Sequence, residues 1–224
     1  RAVHPFTDCS MRTPSLDFAA RARASLIHLA LSGAVGAVAA VLVFALWYPS
    51  PYRDISGGRD LFMLVISIDI VVGPLITLLV YDRRKPRSEL ARDLAVVALL
   101  QLAALVYGLH SVAQARPALV ALEGSRLRVV RAIDLADADL SRAPEGLRAL
   151  SWTGPQLVAT RPPRPDEALE AIDRGLAGED IGMRPAFWLP RSATGGAFAR
   201  AARPLDELAR RDPTARERVQ QAAA

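Results

Sequence analysis

Side-chain catalysis needs a nucleophile, a base or a metal set, so the scarce reactive residues come first. The 224-residue chain has one cysteine, Cys9, and three histidines, His4, His28 and His110. All four precede residue 112, scattered over unrelated segments, which removes Ser-His-Asp, Cys-His and most zinc chemistry from the second half. No G-x-S-x-G, H-E-x-x-H, Walker loop or Gly-rich dinucleotide fingerprint occurs. The remaining acid–base candidates are neighbouring carboxylates, Asp137 with Asp139 and Glu179 with Asp180. Acids so close in sequence are far more often turn or helix-cap residues, because spacing alone does not fix the geometry of proton transfer. The expectation is a protein that is not an enzyme, with no cofactor and no metal, and with no intrachain disulfide.

One acid is out of place. Asp69 sits in ISIDIVVGP, a run otherwise apolar and closed by Gly73 and Pro74. Asp69, Gly73 and Thr77 recur at i, i+4 and i+8, so a helix aligns them as one stripe. Pro74 removes a backbone donor and should kink that helix. If the run crosses a bilayer, an acid near mid-span costs about 2.5–3.5 kcal/mol on insertion scales and must face protein or water. Gln101 and Tyr107 are the other intramembrane polar candidates, and a Tyr107 hydroxyl at the height of Asp69 is the expected partner. On the first span Ser32, Gly33, Gly36 and Ala40, and on the third Gly108, form small-residue faces suited to close helix packing or to a partner's helix.

The elements that carry these residues follow from length and charge. Leu26 to Tyr48 is 23 residues without a charge, Leu61 to Tyr81 is 21 with Asp69 as its only charge, and Leu94 to Val112 is 19 with Gln101 and His110 as its main polar breaks. Each is long enough to cross a hydrocarbon core of about 30 Å at about 1.5 Å per residue. Trp47, Tyr48, Tyr52 and Tyr81 cluster where runs end, as amphipathic rings at an interface should. The first run is too long for a signal-peptide core and ends in WYPSPY, so it is read as retained. Lys and Arg crowd the segment before the first run and the 82–93 loop, whereas the 49–60 loop has only Arg53 and Arg59. The positive-inside rule makes the N-terminus cytoplasmic and places residues 113–224 on the outer side. RAVHPFTDCS begins without Met and precedes Met11, so residues 1–10 are expected to be an upstream extension.

Net charge is +5. Residues 1–116 hold +4 of it and 117–224 only +1, with no basic stripe and no stacking contacts for nucleic acid. The excess is the cytoplasmic rim, which suits membrane lipids with anionic headgroups. After Val112, PALVALEGSRLRVVRAI reads as strands Ala118 to Leu122 and Arg126 to Ile133 joined at Glu123-Gly124-Ser125. A brief helix around Ala138 to Arg142, a third strand at Gln156 to Thr160, and a helix over Asp166 to Leu176 with Ala168, Leu169, Ile172 and Leu176 on one face follow. Further helices are expected around Leu205 to Arg211 and Thr214 to Ala223. Trp152 and Trp188, both beside turn residues, are candidates for core anchoring or for partner contact. The fold class is thus an α-helical membrane protein with three transmembrane helices, followed by a small α+β extracytoplasmic domain: segment 1–25, membrane domain 26–112, outer domain 113–224.

The motifs ALWYPSPYRDISGGRDLF, IDIVVGPLITLLVY, ARDLAVVALLQLAALVYG, SWTGPQLVA and AGEDIGMRPAFW, spread from about Leu26 to Leu208, together resemble the TfpX/TfpZ family of type IV pilin accessory proteins. That resemblance implies an inner-membrane protein of Gram-negative bacteria, with a periplasmic domain, that supports stability or assembly of a cognate major pilin without known catalysis. Its partners would be the type IV major pilin, membrane lipids and other pilus assembly proteins. The residues by themselves leave a second class open, a small transporter or sensor subunit that uses Asp69.

Overall fold

The computed structural model describes residues 17–204 together with 207 and 210. The segment holding Cys9 and Met11 lies outside the described residues, as do the expected helices near 205–211 and 214–223 apart from Glu207 and Arg210.

Three helices are long and apolar enough to cross a membrane, Phe18–Trp47, Gly58–Val80 and Arg87–Gln114. The first is α1, Phe18–Leu42, prolonged by a π-helical turn over Val43–Trp47; the short α2, Tyr52–Ile55, follows, then α3, Gly58–Val80, and α4, Arg87–Gln114. Each runs beyond its most apolar stretch because charged end turns are tolerated at headgroup level. Thus α4 starts not at Leu94 but at Arg87, just after Pro86, whose carbonyl accepts from the N–H groups of Glu89 and Leu90. Val38, Leu79 and Leu99 are 71%, 74% and 67% exposed. Helices apolar all round are what lipid solvates, so burial of apolar area does not hold them together; close packing must.

Contacts divide the described residues into two compact units, one of 17–39 with 63–108, the other of 40–62 with those from 109 onward. In the first, glycines admit neighbouring side chains. A Cβ on Gly36 would stand 2.9 Å from Ile66 Cγ1, and one on Gly73 or Gly108 would collide with the Gln101 amide or with Val65. At the 81–93 turn, Arg21 donates to Asp82 at 3.2 Å, and Lys85 lies 2.6 Å from Asp93.

The second unit centres on a three-stranded sheet in the order β2-β1-β3, made from β1, Pro117–Glu123, β2, Arg126–Arg131, and β3, Gln156–Ala159. β1 and β2 form the expected hairpin with Glu123 opposite Arg126, and Gly124 at φ 63° takes the turn position that a side chain would strain. β3 runs parallel to β1, reached through two single-turn helices, Ile133–Leu135 and Leu140–Arg142. β1 is buried along its whole length, which explains its near-continuous Ala, Leu and Val content. Ala118, Leu119, Ala121, Val130, Leu135, Leu147, Val158 and Trp188 form the core. α5, Ala168–Leu176, and α6, Arg191–Ala201, complete the domain; α6, rich in Gly and Ala and lacking an apolar stripe, has no periodic signal in the sequence.

The apolar stripe of α5 lies outside the core: Leu169, Ile172 and Leu176 are 73%, 60% and 84% exposed, and the smaller Ala168 and Ala171 form the half-buried side. One sequence expectation needs correction. Tyr48 is no interface ring, being fully buried, with its hydroxyl donating to Val112 O at 3.0 Å and its ring occupying the space a side chain on Gly58 would fill.

Candidate functional site

In the helical unit, α1 and α4 supply the walls and α3 the narrow floor of a groove of about 740 Å³. Its walls are Ile27, Leu31, Val35, Leu94, Leu102 and Leu105, and its polar groups are His28, Ser32, Asp69, Thr77 and Gln101, with Arg23 and Arg83 at one end. Helical spacing explains the walls: Ile27, Leu31 and Val35 recur at i+4 on α1, as Leu94, Ala98, Leu102 and Leu105 do at i+4 and i+3 on α4.

The stripe on α3 divides its labour. Gly73 is buried and yields its side-chain space to Gln101, whose Nε2 donates to the Asp69 carbonyl at 3.1 Å. Pro74 O accepts from Ser25 Oγ at 2.8 Å, which ties α1 to α3. Thr77, 2% exposed, shares a 2.5 Å hydrogen bond between its Oγ1 and His28 Nδ1. Asp69 differs from both: the bond it receives ends on its backbone, and among the described residues no donor reaches its carboxylate. A mid-span carboxyl facing an apolar groove without a partner has not recovered its cost of transfer.

The residue of α4 that meets Asp69 is Gln101, through the acid's backbone carbonyl, while Tyr107 is 74% exposed. The reason is the start of α4: seven further residues ahead of Leu94 raise Gln101 by about 10 Å along the helix, at about 1.5 Å per residue, to the level of the acid. Of the small-residue faces, Gly36 and Gly108 are occupied from within the unit, by Ile66 and Val65. Ser32 lines the groove, Gly33 has open space beside it, and Ala40 is half-buried. His28 and Ser25 carry bonds to α3 that the polar content of the first span hinted at without giving the partner.

Of the paired acids of the second unit, Asp137 is exposed and the other three are held in structural contacts. Asp139 accepts from the N–H and hydroxyl of Ser141 at 3.1 and 2.6 Å, contacts that hold its carboxyl below the usual range. Asp180 pairs with Arg128 and Arg126, and Glu179 with Arg174 at 2.9 Å. Trp188, 4% exposed, donates Nε1–H to Gly182 O at 2.9 Å, so it anchors the core and is withdrawn from any contact surface. Trp152, in a similar turn setting, is 60% exposed. Among the described residues, no three of His, Cys, Asp and Glu gather as metal ligands.

Three helices long and apolar enough to cross a membrane, followed by a small α+β domain, define a membrane protein. Comparison with known proteins narrows this. The family model of the fimbrial assembly protein FimB matches residues 16–57, which cover the first span and the WYPSPY loop. Two fimbrial assembly proteins of Dichelobacter nodosus, of serogroups I and E1, are 34% and 33% identical over 185 residues, 82% of this chain and 72% of theirs. A third, of serogroups C1 and C2, is 36% identical over 122 residues, 54% of this chain and 93% of its own. No solved structure matches. The chain belongs to the fimbrial assembly protein family.

Proposed function

We propose that this protein supports a cognate type IV major pilin while the pilin waits in the inner membrane, receiving the pilin's apolar helix in the groove. The family membership supplies the role in fimbrial assembly. The resemblance of the quoted motifs to the TfpX/TfpZ accessory proteins narrows the partner to a major pilin. The observation that carries the reading is the groove, with walls of Leu, Ile and Val that a second apolar helix matches and an Asp69 carboxylate left without a donor from this chain's described residues. In a membrane such a contact gains from van der Waals packing and from interhelical hydrogen bonds. The topology in this reading keeps the N-terminus cytoplasmic and the sheet domain periplasmic.

The test is site-specific photo-crosslinking in cells that make pilin. Probes at Val35 and Leu102, on the groove walls, should capture pilin; a probe at Leu99, 67% exposed and outside the groove, should capture lipid. Equal pilin capture from all three positions, or none from the groove, would refute the docking site. Deletion of the gene with unchanged pilin level and surface pili would refute the role itself.

A further inference from the structure

The exposed Trp152 stands where the sheet domain and the ends of two membrane helices belong to one compact unit. Its ring centroid is 6.3 Å from that of Trp47, the last residue of the first span. Arg116, two residues beyond the end of α4 at Gln114, lays its guanidinium over the same ring, 3.9 Å from the centroid. The guanidinium is tied on both sides, Nη1 donating to Ala113 O at 2.8 Å and Nε to Ser151 O at 3.3 Å. The 151–154 loop is also seated from below. Gly154, at φ 75°, leaves room for Pro49, whose Cγ lies 3.1 Å from where a Cβ would be.

These contacts fix the height of Trp152 against residues whose own height the membrane helices set. Trp47 ends a membrane-crossing helix and Arg116 directly follows another, so a ring held between them sits at the bilayer boundary on the sheet-domain side. Indole is favoured there, with an apolar body for the acyl region and an N–H for the headgroups. The Arg116 guanidinium, 5% exposed, supports the ring from its inner face by cation–π contact, leaving the outer face of the indole to the lipid. We infer that Trp152 is a membrane anchor of the sheet domain: the 151–154 loop inserts its indole into the headgroup–acyl boundary beside Trp47 and Arg116, and the surface it completes binds phospholipid. The inference does not depend on the pilin reading, and it removes Trp152 from the residues offered to a protein partner.

The experiment uses the full chain in phospholipid vesicles, comparing wild type with Trp152→Phe. Both retain Trp47 and Trp188, so the difference in emission is that of Trp152. That difference should lie at short wavelength, lose most of its intensity when lipids brominated on the acyl chain replace ordinary ones, and resist iodide added on the domain side. Quenching by iodide with no effect of bromine would overturn the inference, as would protection from iodide that appears only when pilin is reconstituted alongside. A nitroxide on Thr153→Cys in a Cys9→Ser background gives an independent reading. Collisions with oxygen should exceed those with an aqueous nickel chelate, and the reverse order would overturn the inference.

Discussion

An added methyl at Gly73 or at Gly108 probes directly how the membrane helices are held together. Both glycines leave room for an intruding side chain, but the intruders differ in stiffness. At Gly73 a new Cβ would land on the Gln101 amide, the far end of a flexible side chain that can swing away. The cost is then the 3.1 Å bond from Gln101 Nε2 to Asp69 O. Interhelical hydrogen bonds in a membrane average about 0.6 kcal/mol, with a ceiling near 1.7. Gly73→Ala should therefore cost about what Gln101→Ala costs, and the double variant no more than either alone, a non-additivity of about 0.6 kcal/mol. At Gly108 the collision is with Val65 Cγ1, and its Cγ2 and Cβ are 3.2 and 3.3 Å away. A β-branched side chain on a helix has one strongly preferred rotamer, so α3 and α4 must separate, at about 1–3 kcal/mol. The assay is reversible unfolding of the purified protein in mixed micelles titrated with denaturing detergent, followed by helical circular dichroism. Gly73→Ala as costly as Gly108→Ala, or additive with Gln101→Ala, would refute the argument that side-chain flexibility decides the penalty.

Two other outcomes follow from named groups. Because no donor from the described residues reaches the Asp69 carboxylate, Asp69→Leu should leave the protein as stable as wild type or more so, yet lower pilin level, while Asp69→Asn keeps most of the hydrogen bonding to a docked helix; full pilin level with both variants would show the acid to be incidental. In the sheet domain, Glu167 accepts from Arg161 Nη1 and Nη2 at 2.6 and 2.8 Å and from Arg164 N at 2.8 Å. The Arg161 guanidinium, followed by the Arg164 N–H, pulls its carboxyl from the ordinary 4.5 down to about 2. A depressed folded value means stability that is present above pH 4.5 and lost as pH falls towards 2. Glu167→Gln should flatten acid loosening in that window, as read by hydrogen exchange of α5 amides; an unchanged acid profile would remove Glu167 as its source.

The three membrane helices and the β1–β2 hairpin were legible in the chain because both signals are local. A run of about 20 apolar residues has few ways to satisfy its backbone in lipid, and helix is the solution open to a single segment. Glu-Gly-Ser between two β-rich runs allows a tight turn because Gly supplies the positive φ. The same locality exposed the anomaly at Asp69, whose cost in a bilayer does not depend on what surrounds it. Partners are another matter. Periodicity states which side of an element is apolar but not what stands opposite it, and the structure leaves the apolar stripe of α5 outside the core. Trp152 and Trp188 share residue type and turn setting, yet one is held at the helix ends by Trp47 and Arg116 and the other is roofed by the sheet. Gln101 rather than Tyr107 meets Asp69 because a helix start seven residues earlier shifts every height above it. Sequence alone settled the composition of the parts, since length, charge and turn chemistry act within a few residues; contact across elements depends on register and approach, which only the folded chain sets.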